Sequence, residues 1–189
     1  AEDACFPLTD FFGTLVALLC SNPSGWPLTV ILNGIVNSLY TRYAYYINNP
    51  NSEVHSFRRN VRLMTYGDDN IMSVKPGCDW FNHTSMQRAL ADCGITYTMA
   101  DKDSESVPYL NIMDCDFLKR KWSWNSDLGG YMCPLDEKSI GKMLTVCVAS
   151  KEVLPEAQMC SIMHSALSEY FNYGRERFNE RRAFFPLFE

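Results

Sequence analysis

No Cys-x-x-Cys pair occurs in the 189 residues, and the eight cysteines never stand closer than 13 positions apart. That spacing argues against the usual zinc frameworks, and in apolar surroundings it reads as free, reduced thiols of a cytosolic protein. Histidine is scarce; His55, His83 and His164 fit no catalytic pattern and read as structural or surface residues. No apolar run approaches the roughly 20 residues that span a bilayer. The longest, from Phe11 to Cys20, is interrupted by Gly13 and Thr14. A basic leader with a small-residue cleavage site is also missing, so no targeting segment is expected. Low-complexity tracts and internal repeats are absent. With 47% hydrophobic and 21% charged residues the chain can bury one core, or one core with a small helical appendage. Both ends, Ala1 and the closing Phe-Pro-Leu-Phe-Glu, read as cuts in a longer polypeptide.

Positive charge is in deficit too: the net charge is −5, which taken alone speaks against a nucleic-acid partner. The cations are clustered, however, at Arg58-Arg59-x-x-Arg62, at Lys119-Arg120-Lys121 and from Arg175 to Arg182. An acidic protein can carry basic strips only where phosphates pass, and solvated faces explain any single cluster equally well. Charge leaves both readings open.

The periodicity predicts a strand over Thr14–Cys20 and a turn-rich stretch from Ser21 to Gly25. A helix follows from Leu28 to about Tyr46, with Pro27 at its start. Leu28, Ile31, Leu32, Ile35 and Leu39 cover one side of it, and Thr29, Asn33 and Asn37 form a polar stripe at i, i+4 spacing. Two strands, Val61–Tyr66 and Asn70–Val74, are joined by Gly67-Asp68-Asp69. A helix is expected over Asp79–Cys93, capped by Gly94, with short strands at Ile95–Met99 and Cys115–Leu118. Amphipathic helices are expected over Asp136–Val148 and Pro155–Tyr173, with a charged helical segment to Arg182. Composition changes near Trp124, from β-containing to mostly helical.

Chemistry concentrates in two places. In Tyr66-Gly67-Asp68-Asp69, two adjacent carboxylates at a hairpin tip repel one another unless a cation lies between them. Carboxylate oxygens suit Mg²⁺, which uses one or two such groups plus substrate phosphates. Asp and Gly also favour turns for backbone reasons alone, so the four residues by themselves decide nothing. The second place is Ser24-Gly25 followed by Thr29, Asn33 and Asn37. Small amides and hydroxyls on one helix face suit recognition of a substrate hydroxyl such as a ribose 2′-OH, or else a polar rim on a core helix.

Together the two patterns match a family. Ser24-Gly25-x-x-x-Thr29-x-x-x-Asn33 followed by Tyr66-Gly67-Asp68-Asp69 resembles motifs B and C of positive-strand RNA virus RNA-dependent RNA polymerases, in order and separation. Residues 94–102, from Gly94 to Lys102, look like motif D, and Phe117-Leu118-Lys119-Arg120 looks like motif E in its picornavirus form. Cys133-Pro134-Leu135, and Ala166-Leu167-Ser168-Glu169-Tyr170 followed by Gly174-Arg175-Glu176, are similar to the thumb of picornavirus-like polymerases. The tail looks closer to the dicistrovirus and marine picorna-like branches than to vertebrate enteroviruses. The resemblance covers about residues 14–182. One element departs from it: no two aspartates are five positions apart, so motif A, Asp-x-x-x-x-Asp, is missing, and Asp3 and Asp10 do not fit it.

The resemblance implies an α+β fold. Part of a polymerase palm, a small antiparallel sheet with helices against one face, would fill residues 1–124. A helical thumb would begin at 125–189. The implied reaction joins a ribonucleoside triphosphate to an RNA 3′-OH under template direction by two-metal phosphoryl transfer with Mg²⁺ or Mn²⁺. This segment would be inactive alone, lacking motif A and the basic fingers. By the same resemblance Asp68 is a direct metal ligand and Asp69 a secondary one, while Tyr66 packs under the turn. Asn33 reads the ribose 2′-OH, held by Ser24 and Thr29, and Gly25 lets the preceding loop bend. Lys102 protonates pyrophosphate, and Lys119 and Arg120 touch the primer backbone. Implied partners are an RNA template-primer, nucleoside triphosphates and other viral replication proteins. The implied location is the host cytoplasm, at membrane-associated replication complexes. A reverse transcriptase-like palm, which would favour a steric block over a 2′-OH reader at Asn33, and a non-enzymatic α+β domain remain as alternatives.

Overall fold

The computed structural model describes residues 7–18 and 22–185. It is a mixture of helices and small antiparallel sheets, consistent with the expected α+β class. The chain divides into two compact units, Ala1–Pro108 and Tyr109–Glu189.

The first unit opens with a hairpin of β1 (Leu8–Phe11) and β2 (Thr14–Ala17). Its two-residue turn has Phe12 at φ 52° and Gly13 at φ 83°, and the Gly13 amide donates to Asp10 Oδ1 at 2.7 Å. Both turn residues need positive φ here, so the side-chain contact from Asp10 helps hold a conformation that Phe12 disfavours. The expected strand over Thr14–Cys20 is thus the second arm of a hairpin; Cys20 lies outside the described residues.

Helix α1 (Thr29–Asn48) follows, running two residues past the expected end at Tyr46, up to Asn49 and Pro50. Its orientation reverses the simplest reading of its periodicity. The apolar stripe points away from the unit, with Ile31 56% and Leu39 59% exposed, while Gly34, Asn37, Thr41, Ala44 and Tyr45 are buried. Gly34 lies on the packed face: a Cβ there would stand 3.4 Å from Thr65 Oγ1, at contact distance from the strand beneath. Thr41 spends its hydroxyl locally, donating to the Asn37 carbonyl at 2.9 Å, and is buried without cost to its polarity. The outward face leaves an open apolar groove of about 550 Å³ along Val30, Ile31, Ile35, Leu39 and Tyr66.

A short helix α2 (Ser56–Asn60) leads into β3 (Val61–Tyr66), paired with β4 (Asp69–Val74) from Val61↔Val74 to Tyr66↔Asp69. The turn therefore has only two residues, Gly67 and Asp68, and Asp69 is the first residue of β4. Gly67 has φ 62° and Asp68 is not among the positive-φ residues, the pattern of a type II′ turn, which requires glycine first. Helix α3 (His83–Ala91) begins four residues later than expected because Asn82 and Ser85 form a capping box that closes it at that point. Gly94, at φ 73°, follows its end. Residues 95–99 join no ladder, so the expected strand there is not formed.

The core of this unit gathers around Tyr45, which is fully buried and packs edge-to-face on Phe81 at 5.1 Å and Phe57 at 5.3 Å. Phe81, Met86 and Leu90 are buried with it. Each such side chain contributes about 1.5–3 kcal/mol from burial. This aromatic cluster fixes the far end of α1 against α3 and β3, and so fixes where the near end meets the Gly67–Asp68 turn.

In the second unit the expected strand Cys115–Leu118 is instead a tight turn. Phe117 and Arg120 exchange backbone hydrogen bonds at 3.1 Å, and Leu118 and Lys119 both have positive φ, 56° and 58°. An unexpected hairpin, β5 (Ser123–Asn125) with β6 (Gly130–Met132), comes next. Three helices close the unit: α4 (Glu137–Thr145), α5 (Pro155–Tyr170) and α6 (Arg175–Arg182). Asp136 caps α4 by accepting from the Ser139 amide, and Pro155 opens α5 where its missing N–H is harmless. Ile140, Ala166 and Tyr170 form the small core.

Candidate active site

Of the residues singled out in the first unit, Ser24, Gly25, Thr29 and Asn33 lie at or just before the start of α1, and Asp68 and Asp69 lie at the β3–β4 turn. Thr29 Oγ1 donates to the Pro23 carbonyl at 2.6 Å, fastening the loop that carries Ser24 and Gly25. Gly25 sits at φ 87°, a conformation other residues rarely adopt. Asn22 Nδ2 donates to Asn33 Oδ1 at 2.9 Å. The Asn33 carbonyl group is thereby oriented, and because Oδ1 must face that donor its Nδ2 is assigned to the other side. Asn22 stands in the turn-rich stretch before α1, and nothing in the spacing distinguishes it from its neighbours.

Asp68 and Asp69 are both exposed at the turn. Beneath them lies Asn37, only 8% exposed. Its Nδ2 reaches three backbone carbonyls in a row: Gly67 at 3.3 Å, Asp68 at 2.7 Å and Asp69 at 3.2 Å. Its Oδ1 accepts from Asn70 Nδ2 at 3.0 Å, and Asn70 Oδ1 in turn accepts from the Tyr97 hydroxyl at 2.9 Å. Burial pushes the Tyr97 phenol above its ordinary pKa while its hydrogen bond to Asn70 pulls the other way, so at neutral pH it stays a donor. The Tyr97 ring stacks on His83 at 4.8 Å. Sequence spacing put Asn37 on the polar stripe; that it is the stripe's innermost member became visible only with the turn in place.

Asn33, Asn37, Tyr40, Asp68, Ile95 and Tyr97 line one cavity of about 320 Å³. The structure thus brings Asn33 and Asp68 to a common space. Ser24, Gly25 and Lys102 are not among its lining residues; all three are exposed. Tyr66 does not pack under the turn as expected, for 54% of it is exposed. His55 and His164 are exposed, as surface residues.

Two adjacent carboxylates at one turn supply the hard oxygen donors that Mg²⁺ or Mn²⁺ prefers. Among the described residues no three His, Cys, Asp or Glu side chains come together as a complete metal cluster. Asp68 and Asp69 thus fit a divalent cation as part of a shell that substrate oxygens, water or another carboxylate would fill.

In the second unit, Lys119 and Arg120 part company. Arg120 makes a bidentate pair with Glu169, at 2.7 and 2.9 Å, and donates to the Cys133 carbonyl at 2.9 Å. Lys119 is exposed. The basic stretch on α6 is also largely engaged: Arg177 and Arg181 both bind Glu137, at 2.7 and 3.2 Å, and Arg177 also meets Glu180. Arg59 pairs with Glu53.

Comparison with known proteins bears on what such a turn does. The family model described as viral RNA-dependent RNA polymerase matches residues 4–174. The RNA1 polyprotein of Grapevine chrome mosaic virus is 33% identical over 183 residues, 88% of this chain and 8% of that protein. The RNA1 polyprotein of Cowpea mosaic virus (strain SB) is 31% identical over 94% of the chain and 10% of its own length. The replicase polyprotein of Drosophila C virus (strain EB) is 28% identical over 86% of the chain and 10% of its own length. The chain spans a tenth or less of these three relatives.

Proposed function

The chain belongs to the viral RNA-dependent RNA polymerase family, and on that premise we propose that it supplies part of the catalytic centre of an enzyme that adds ribonucleotides to an RNA 3′-OH under template direction. The observation that carries this reading is the shared cavity of Asn33 and Asp68, with the Asp68 backbone held from below by Asn37.

In this reading residues 1–124 contribute to a palm and residues 125–189 begin a thumb. Bound at Asp68 and Asp69, a divalent cation would supply charge neutralisation at the reacting phosphate and activation of the attacking hydroxyl. The chain's own residues do the rest. Asp68 presents a carboxylate from a backbone that the Asn37 amide holds, and Asp69 assists from the first position of β4. Asn33 offers its amide to the ribose 2′-OH, oriented by Asn22 and by the loop that Thr29 fastens. Ser24 and Gly25 shape the entrance. Lys102 hands a proton to the departing pyrophosphate, and Lys119 meets the primer backbone as a point charge. Arg120, committed to Glu169, positions that turn before it contacts RNA. The enzyme would work with other viral replication proteins at membrane-associated complexes in the host cytoplasm. No helix among the described residues is long and apolar enough to cross a membrane itself.

Nucleotide selection tests the reading. A site built to hydrogen-bond a hydroxyl rejects the analogue that lacks it, because the site's own polar group is left unpaired. In the complete polymerase, Asn33→Val should lower kcat/KM for ATP more than for dATP on one primer–template. The ratio should fall by roughly tenfold to a hundredfold, the equivalent of about 1.4–3 kcal/mol. Equal loss for both substrates would make Asn33 a helix-start residue and return weight to a reverse transcriptase-like palm.

A further inference from the structure

We propose that Asn37 is the positioning residue of the metal-binding turn: its side-chain amide holds the Gly67, Asp68 and Asp69 carbonyls, and so sets where the two carboxylates stand. The inference rests on the reading of Asp68 and Asp69 as cation ligands and adds to it a residue that the resemblance did not assign.

The geometry is specific. One amide nitrogen lies within 3.3 Å of three successive carbonyl oxygens, which can only accept, so the group facing them must be a donor. Its two hydrogens are shared among three acceptors, leaving no rotation that improves one contact without losing another. The Oδ1 side is equally committed, accepting from Asn70. Asn70, on β4, is itself held by Tyr97. A chain of side-chain hydrogen bonds thus runs from α1 through β4 to Tyr97, and both aspartates lie on the stretch of backbone it grips. The clamp takes hold of backbone carbonyls, not carboxylates. It therefore orients the ligands without competing for the cation.

Aspartate has the shape of asparagine but no donor. At position 37 it would turn a carboxylate oxygen toward three carbonyls, and the turn would be pushed off its support. Residues that orient ligands in this indirect way typically change metal affinity by about 10–100-fold when replaced.

The test uses the complete polymerase with primer–template and measures Mn²⁺ binding by the loss of the free-ion electron paramagnetic resonance signal, without turnover. Asn37→Asp and Asn37→Ser are compared with wild type, and Asn70→Ala serves as a second, milder lesion of the same chain. RNA affinity and thermal midpoint are recorded for each. The expected result is a Mn²⁺ dissociation constant raised about 10–100-fold by Asn37→Asp. Asn37→Ser, which keeps one donor, and Asn70→Ala should give smaller shifts in the same direction, with RNA affinity near wild type. Should Asn37→Asp fail to fold, the shifts of the two milder variants carry the test. Unchanged Mn²⁺ affinity in folded Asn37→Ser and Asn70→Ala overturns the proposal, as does a loss of Mn²⁺ and RNA binding in parallel. Asp68→Asn, run beside them, separates the layers. If it too leaves Mn²⁺ affinity unchanged, the reading of the turn as a cation site fails; if it alone weakens binding, only the role of Asn37 does.

Discussion

Replacing Asp68 by asparagine in the complete polymerase is expected to abolish nucleotide addition while leaving template-primer affinity near wild type. The substitution is nearly isosteric, and Asn37 holds Asp68 through its backbone carbonyl, so the turn should keep its shape. What is lost is a negative charge on an exposed carboxylate beside the cavity that Asn33 also lines. In the proposed reading that charge matters where a cation gathers the reacting oxygens, that is, in the transition state and not in the complex with template. Cation-mediated charge stabilisation is worth several kcal/mol, and each 1.36 kcal/mol is about tenfold in rate, so turnover should fall by roughly 10³-fold or more. Near-normal turnover in the mutant would remove Asp68 from the role assigned to it.

Lys102→Leu should slow the chemical step by about 10²–10⁴-fold, the range for a positioned general acid. Lys102 lies in an exposed turn organised by its neighbour. Asp101 accepts from the Asp103 amide at 3.3 Å and from the Ser104 hydroxyl at 2.8 Å. The Asp101 carboxylate is therefore occupied with the turn itself, and among the described residues no ion pair holds Lys102. In the proposed reading this lysine is left to donate to the departing pyrophosphate. Nucleotide affinity should change far less than the rate. A single-turnover rate equal to wild type at saturating nucleotide would make Lys102 an ordinary surface lysine.

Much of this was legible in the residue pattern because it depends on short-range rules. The β3–β4 hairpin followed from two alternating runs around Gly67, and the helices of the second half from their amphipathic spacing and from Pro155. Of the residues lining the candidate site, Asn33, Asn37 and Asp68 were marked by type and spacing, while Tyr40 and Tyr97 were not. What escaped has particular causes. The outward turn of Ile31, Ile35 and Leu39 could not be read from periodicity, which reports that a helix has two faces and not which one is packed. Gly34 was the clue, since it marks the face that approaches Thr65. The strand β1 escaped because its turn uses Phe12 at positive φ, where turn chemistry would look for Asn or Gly. The strand expected over Cys115–Leu118 fell to two consecutive positive-φ residues, Leu118 and Lys119, that no propensity would choose. Arg120 illustrates the limit for charge: its partner Glu169 is distant in sequence, and only the fold reveals that this cation is already engaged.

Primer extension tests the central claim most directly: oligo(U) on poly(A) with labelled UTP and Mg²⁺, run in parallel with the complete polymerase and with the 189-residue chain alone. The chain has no Asp-x-x-x-x-Asp, so in the proposed reading Asp68 and Asp69 leave the cation shell incomplete. The account predicts template-dependent extension by the complete polymerase and none by the chain. Extension by the chain alone, or none by a folded complete protein that binds the template-primer, would contradict it.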